Sequence, residues 1–196
     1  RKKMLSYEES LKILKETKAL IDGHFILSSG LHSAKYIQCA QLLSKPNKAF
    51  AICNSLAEKI ETTFDEIDLI LSPAMGGIIV GYEVGKILKK ETIFSERVHG
   101  NFTLRRDFFI KKNSKVLIVE DVITTGKSSI ECSKLVTNAD SKIVGYACII
   151  DRSNGKSSIK EKIVSQIEFN IPTYTKDNLP KNLSLIDAVK PGSRNL

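Results

Sequence analysis

The segment at residues 116–129, VLIVEDVITTGKSS, constrains this chain more than any other. The apolar run Val116-Leu117-Ile118-Val119 leads into two adjacent acids, Glu120 and Asp121. Small hydroxyl residues and a glycine follow, and a helical pattern opens at Lys127. At a helix start, several backbone N–H groups lack an intrahelical partner, and the dipole favours negative charge. Thr124, Thr125, Gly126, Lys127 and Ser128 can wrap such donors and their hydroxyls around one phosphate. Gly126 lets the backbone approach without a Cβ clash. Gly126-Lys127-Ser128 also suits the end of a triphosphate P-loop, but that motif needs a glycine where this chain has Asp121. Two carboxylates would repel a lone phosphate. They suit a ribose 5-phosphate, with its phosphate in the loop and its 2′- and 3′-hydroxyls at the acids.

The flanking sequence supplies a matching architecture. Ser6-Tyr7-Glu8-Glu9 has capping-box spacing and predicts a first helix with Leu11, Leu14 and Ala19 near one face. Two short strands are predicted at 25–27 and 35–39, joined by a loop containing Ser28-Ser29-Gly30. Apolar spacing predicts helices over 47–60, 78–88 and 127–136. Short apolar runs predict strands at 67–71, 92–98, 115–119 and 143–150, with a last one at 167–169. Pro172, Pro180 and Pro191 leave the tail, 172–196, without an assignment. The alternation predicts an α/β chain with a mostly parallel twisted sheet flanked by helices. Nearly continuous apolar strands predict a sheet covered on both faces.

Composition narrows the class. The 196 residues suit a single domain, 42% hydrophobic and 27% charged. No run of about 18 apolar residues predicts a membrane span. The basic start, Arg1-Lys2-Lys3-Met4, leads into an amphipathic segment, so no secretory signal is expected. Cys39, Cys53, Cys132 and Cys148 show neither CxxC spacing nor clustering with His. They read as small buried hydrophobes in a reducing cytoplasm rather than as a metal or disulfide framework. The net charge of +8 suits a nucleic acid, a membrane surface or a small polyanion. An aromatic content of 7% and the lack of a helix-turn-helix pattern argue against nucleic acid.

The acid-acid-loop segment resembles the signature of the type I phosphoribosyltransferases, which bind 5-phosphoribosyl 1-pyrophosphate. Four more stretches resemble the orotate-specific branch. Gly23 to Gly30, followed by His32-Ser33 and Tyr36, looks like its base-covering N-terminal hood. Ser72-Pro73-Ala74-Met75-Gly76-Gly77 looks like its pyrophosphate loop. Glu96-Arg97-Val98 with Thr103-Leu104-Arg105-Arg106 looks like its mobile catalytic loop, and Pro191-Gly192-Ser193-Arg194 like a bacterial-type ending. There are departures: some members have a lysine near Met75-Gly76 or Ser28, and many have glycine where this chain has Asp107.

The resemblance implies a type I phosphoribosyltransferase fold with a hood formed mainly by 1–45. It implies transfer of a phosphoribosyl group to orotate, giving orotidine 5′-monophosphate and pyrophosphate in pyrimidine synthesis. Glu120 and Asp121 would hold the ribose where positive charge develops. Backbone donors at Ala74, Met75, Gly76 and Gly77, with Arg97, His99, Arg105 and Arg106, would receive the pyrophosphate. Arg152 would pair with orotate, Thr124 would contact the base, and Tyr36 is a candidate to stack on it. The implied cofactor is Mg²⁺, held mainly by substrate and water near Asp121, with no dedicated protein cage. A cytoplasmic homodimer is implied, with the loop shared between subunits and no nucleic-acid or membrane partner. Two alternatives stay open: transfer to a purine or uracil, or a non-catalytic sensor of 5-phosphoribosyl 1-pyrophosphate.

Overall fold

The computed structural model describes residues 4–191. Residues 1–3 and 192–196, and with them Gly192-Ser193-Arg194 of the tail motif, lie outside the described residues. The first helix, α1 (Tyr7–Glu16), begins where the capping box places it: Glu9 N–H donates to Ser6 Oγ, and Ser6 N–H to Glu9 Oε2. Strands β1 (Leu20–Ile26) and β2 (His32–Ile37) follow, then the short α2 (Cys39–Leu43) and the long α3 (Pro46–Thr63). The strand expected to run through Cys39 therefore stops at Ile37, and Cys39 starts a helix. Next come β3 (Leu69–Pro73), α4 (Gly76–Leu88), β4 (Glu91–Val98), β5 (Asn101–Thr103), β6 (Lys115–Ile123), α5 (Lys127–Asn138), β7 (Lys142–Asp151) and β8 (Ile163–Glu168). The chain continues through β9 (Thr173–Tyr174) and α6 (Lys181–Ser184).

The main sheet has six strands in the order β5-β4-β3-β6-β7-β8, all parallel except β5. Alternate residues of its central strands face opposite layers. Ile70, Leu117 and Val119 pack with α3 and α4, whereas Leu69, Leu71, Val116 and Ile118 pack with Cys132 and Val136 of α5. Both faces are covered, as the apolar runs predict. The strand β8 is longer than the predicted 167–169, because Ile163 and Val164 pair with Tyr146 and Ala147. The strand β5 makes a tight hairpin with β4 across His99 (φ 49) and Gly100 (φ 83), the positive-φ pair of a type I′ turn.

A second, three-stranded antiparallel sheet has the order β1-β2-β9. Val189 N–H donates to the His24 carbonyl, and Ile26 N–H to the Val189 carbonyl. Buried His24 and His32 add a side-chain link: His24 Nδ1 lies 2.7 Å from the Ile186 carbonyl, and His24 Nε2 lies 2.6 Å from His32 Nδ1. A carbonyl only accepts, so His24 donates through Nδ1, and in the neutral pair its Nε2 accepts from His32. The C-terminal segment is thereby fastened to the N-terminal sheet. All four cysteines are free and buried, and burial pushes each thiol up, Cys53 and Cys132 to about 12.

Candidate active site

Strand order fixes where a ligand can sit. From β3 the chain passes through α4 to β4 on one side; from β6 it passes through α5 to β7 on the other. Helices α4 and α5 cover opposite faces, so a crevice opens at the carboxyl ends of β3 and β6. Glu120 and Asp121 lie near the end of β6, and Ala74 to Gly77 join β3 to α4. A Cβ on Gly76 would lie 2.6 Å from Asp121 Oδ2, so the loop and the acid are in direct apposition. Two long helices thus point their positive ends at one edge, with Asp121 between them. This proximity is not readable from the linear sequence.

The loop after β6 opens onto the N-terminus of α5. Gly126 caps α5 in the left-handed region (φ 79), and a Cβ there would lie 2.8 Å from Ile159 Cγ1. Either constraint alone favours glycine. The Thr125 hydroxyl accepts from Lys127 N–H at 3.3 Å, and the Thr125 carbonyl accepts from Ser158 N–H at 2.9 Å. Thr124, Thr125, Lys127 and Ser128 are exposed at the loop surface.

The two acids differ. Glu120 is 9% exposed, and its Oε2 accepts from Ser129 Oγ at 2.5 Å. Burial pushes its carboxyl up to about 7, aided by Asp121 and opposed by the Ser129 hydroxyl and Arg97. Asp121 is part-buried and accepts from Val122 N–H through Oδ1 at 2.9 Å. Burial raises it too, against that backbone bond.

The raised Glu120 has a consequence for stability. Its carboxyl ionises near 4.5 ordinarily and near 7 in the fold. Over that interval the folded state holds the proton more tightly than the unfolded state. The contribution of Glu120 to stability is therefore fully present below about pH 4.5 and falls by about 3 kcal/mol toward pH 7, at roughly 1.4 kcal/mol per pH unit. Glu120→Gln is expected to raise the melting temperature by about 6 °C or more at pH 8 and to change it little at pH 5. An equal gain at both pH values would show that ionisation is not the cause.

Other predicted residues are placed as follows. Arg152 follows β7, with its N–H donating to the Ile123 carbonyl at 2.9 Å. Its half-buried guanidinium has no hydrogen-bond or ion-pair partner among the described residues, and burial pushes its pKa down. Arg97 lies close enough to favour ionised Glu120, yet its own donors go to Glu131 Oε2 at 2.6 Å and the Gly100 carbonyl at 2.7 Å. Its guanidinium also lies 4.1 Å from the Phe102 ring. Arg106 makes a forked pair with Glu96 at 3.0 and 3.1 Å. Arg105 makes only a 3.9 Å contact with Glu96, and His99 is exposed at the hairpin tip. Tyr36 belongs to the second sheet, its ring 5.7 Å from Phe25. Among the described residues, no group of three or more His, Cys, Asp or Glu is arranged to hold a metal ion. No helix there is long and apolar enough to cross a membrane.

Sequence reading missed Ser129, Glu131 and Ile159. Ser129 had a usable signal, a hydroxyl one helical turn inside α5 and behind the acidic pair. The other two meet their partners only through tertiary packing.

A mostly parallel sheet with an acid pair and two helix N-termini meeting at its switch point defines an α/β protein with a ligand crevice at that edge. The phosphoribosyl transferase domain model matches residues 38–178. A protein of Parvibaculum lavamentivorans called orotate phosphoribosyltransferase is 44% identical over 98% of this chain and 100% of its own. One of the same name from Methylorubrum populi is 46% identical over 96% of this chain and 97% of its own. The crystal structure of orotate phosphoribosyltransferase from Aeropyrum pernix shares the fold, with a TM-score of 0.69 at 23% identity, covering 81% of this chain and 92% of that one. The chain belongs to the phosphoribosyltransferase family, within the group named orotate phosphoribosyltransferases.

Proposed function

We propose that this chain transfers the phosphoribosyl group of 5-phosphoribosyl 1-pyrophosphate to N1 of orotate, yielding orotidine 5′-monophosphate and pyrophosphate. The observation that carries this reading is the apposition of Gly76 and Asp121 between two helix N-termini. It supports placing the 5-phosphate in the 124–128 loop, the ribose on Glu120 and Asp121, and the pyrophosphate at 74–77. As the C1–O bond breaks, its electron pair leaves with pyrophosphate and positive charge grows on the ribose. The acids stabilise that charge, and N1 of orotate bonds to C1 as its N–H bond breaks and the proton passes to water. Part-buried Arg152, with no hydrogen-bond or ion-pair partner among the described residues, suits the orotate carboxylate. That cation favours orotate over uracil or a purine, neither of which carries a carboxylate.

Asp121 would help to hold magnesium together with the substrate's phosphates and water, and when bound the ion would neutralise charge on the leaving group. This fits a site with one open carboxylate and, among the described residues, no ligand cluster. The hood is the β1-β2-β9 sheet, with Tyr36 beside the base. The apolar stripe Met75, Ile79 and Tyr82 along α4 is 84%, 50% and 64% exposed, which supports a homodimer through this face. Arg105 and His99, the less engaged hairpin residues, would reach the neighbouring site. Four buried free thiols suit the cytoplasm.

The test is spectrophotometric. Mixing the protein with orotate, 5-phosphoribosyl 1-pyrophosphate and Mg²⁺ is expected to consume orotate, and neither adenine nor uracil is expected to substitute. No orotate consumption, or turnover of adenine or uracil instead, would sink the proposal.

A further inference from the structure

Other helical hydroxyls, two of them further along α5 itself, close locally. Ser10, Thr17, Ser133 and Thr137 each donate to a carbonyl three or four residues behind. Ser129 does not. Although it sits in the first turn of α5, its hydroxyl reaches back across the phosphate loop to Glu120 Oε2 at 2.5 Å. Its exposure is 0%, so water does not compete for that bond.

A carboxylate at the end of a glutamate side chain turns easily about its last torsion. Here a competing attraction is present, because Arg97 lies close enough to favour the charged form of Glu120. Ser129 fixes one oxygen and leaves Oε1 without a protein partner among the described residues. We propose that Ser129 is a positioning residue, which holds the Glu120 carboxylate so that Oε1 meets a ribose hydroxyl. The inference rests on the proposed placement of the sugar and is independent of which base is accepted.

The test uses two ligands that share the phosphate cradle. Titrated calorimetrically, Ser129→Ala is expected to bind ribose 5-phosphate about tenfold more weakly than the wild type. Its affinity for inorganic phosphate is expected to stay within twofold, because the N-terminus of α5 is intact. In a Glu120→Ala background the serine substitution is expected to add less than a twofold change, since its partner is gone. Equal weakening of both ligands would assign Ser129 to the folding of the loop. A full tenfold effect persisting without Glu120, or no effect on either ligand, would likewise overturn the proposal. If the wild type binds ribose 5-phosphate but consumes no orotate, the proposed reaction fails while the serine comparison still stands.

Discussion

Asp121→Asn is expected to lower kcat by roughly a hundredfold to a thousandfold while changing the affinity for 5-phosphoribosyl 1-pyrophosphate by less than about fivefold. The asparagine has nearly the same shape and keeps an oxygen for Val122 N–H, which Asp121 binds at 2.9 Å. It lacks the negative charge. In the ground state that charge is a mixed asset, because it lies between the two loops proposed to receive phosphates. As the C1–O bond loosens, it faces growing positive charge in a part-buried site where screening is weak. The loss should therefore fall on the transition state. Steady-state kinetics beside calorimetric binding separates the two, and matching losses in kcat and affinity would show that Asp121 only binds. The same variant tests sharing of the hairpin. Co-expressed with Arg105→Ala, it should recover part of the activity in mixed dimers, because one composite site then holds both intact residues. No recovery in verified mixed dimers would overturn sharing.

Arg152→Ala is expected to raise the KM for orotate by about a hundredfold or more, and the KM for 5-phosphoribosyl 1-pyrophosphate by less than about threefold. Arg152 is half-buried, and burial alone pushes its guanidinium pKa down. A cation kept in that state stabilises a complex more than it stabilises the fold. Its removal should accordingly leave the melting temperature of the free protein unchanged or slightly higher. A parallel rise in both KM values would place Arg152 outside the base site, and a drop in melting temperature would give it a structural role.

The sheet was legible because its strands are buried on both faces and so appear as unbroken apolar runs. Ile70 and Leu71 face opposite layers, yet both are apolar. Helix α1 was legible from its cap. The β5 strand was not, because its turn is His99-Gly100 rather than the Asn-Gly or Asp-Gly pair that marks such hairpins. Nor was β9, whose two residues pair with His32 and Ser33 from the far end of the chain. In the site, contiguous residues could be read directly: the acid pair and the loop after it. Relations across the crevice could not, because Gly76 meets Asp121 only once β3 lies beside β6. The loop arginines show the same limit. The resemblance implies one shared destination for them, and their pairing with Glu131 and Glu96 is visible only in the fold.

The fastening of β1 and β2 by Thr173, Tyr174 and Val189 sets an order for the growing chain. The two strands leave the ribosome early, but their third strand and their backbone clasp arrive only after β3 to β8 have been made. A two-stranded ribbon is marginal by itself. The parallel core can assemble domain-style while the N-terminal strands wait for a distant partner, a long-range closure of the kind that slows folding. The small sheet would thus be completed last during synthesis, after the carboxyl edge of the main sheet already exists.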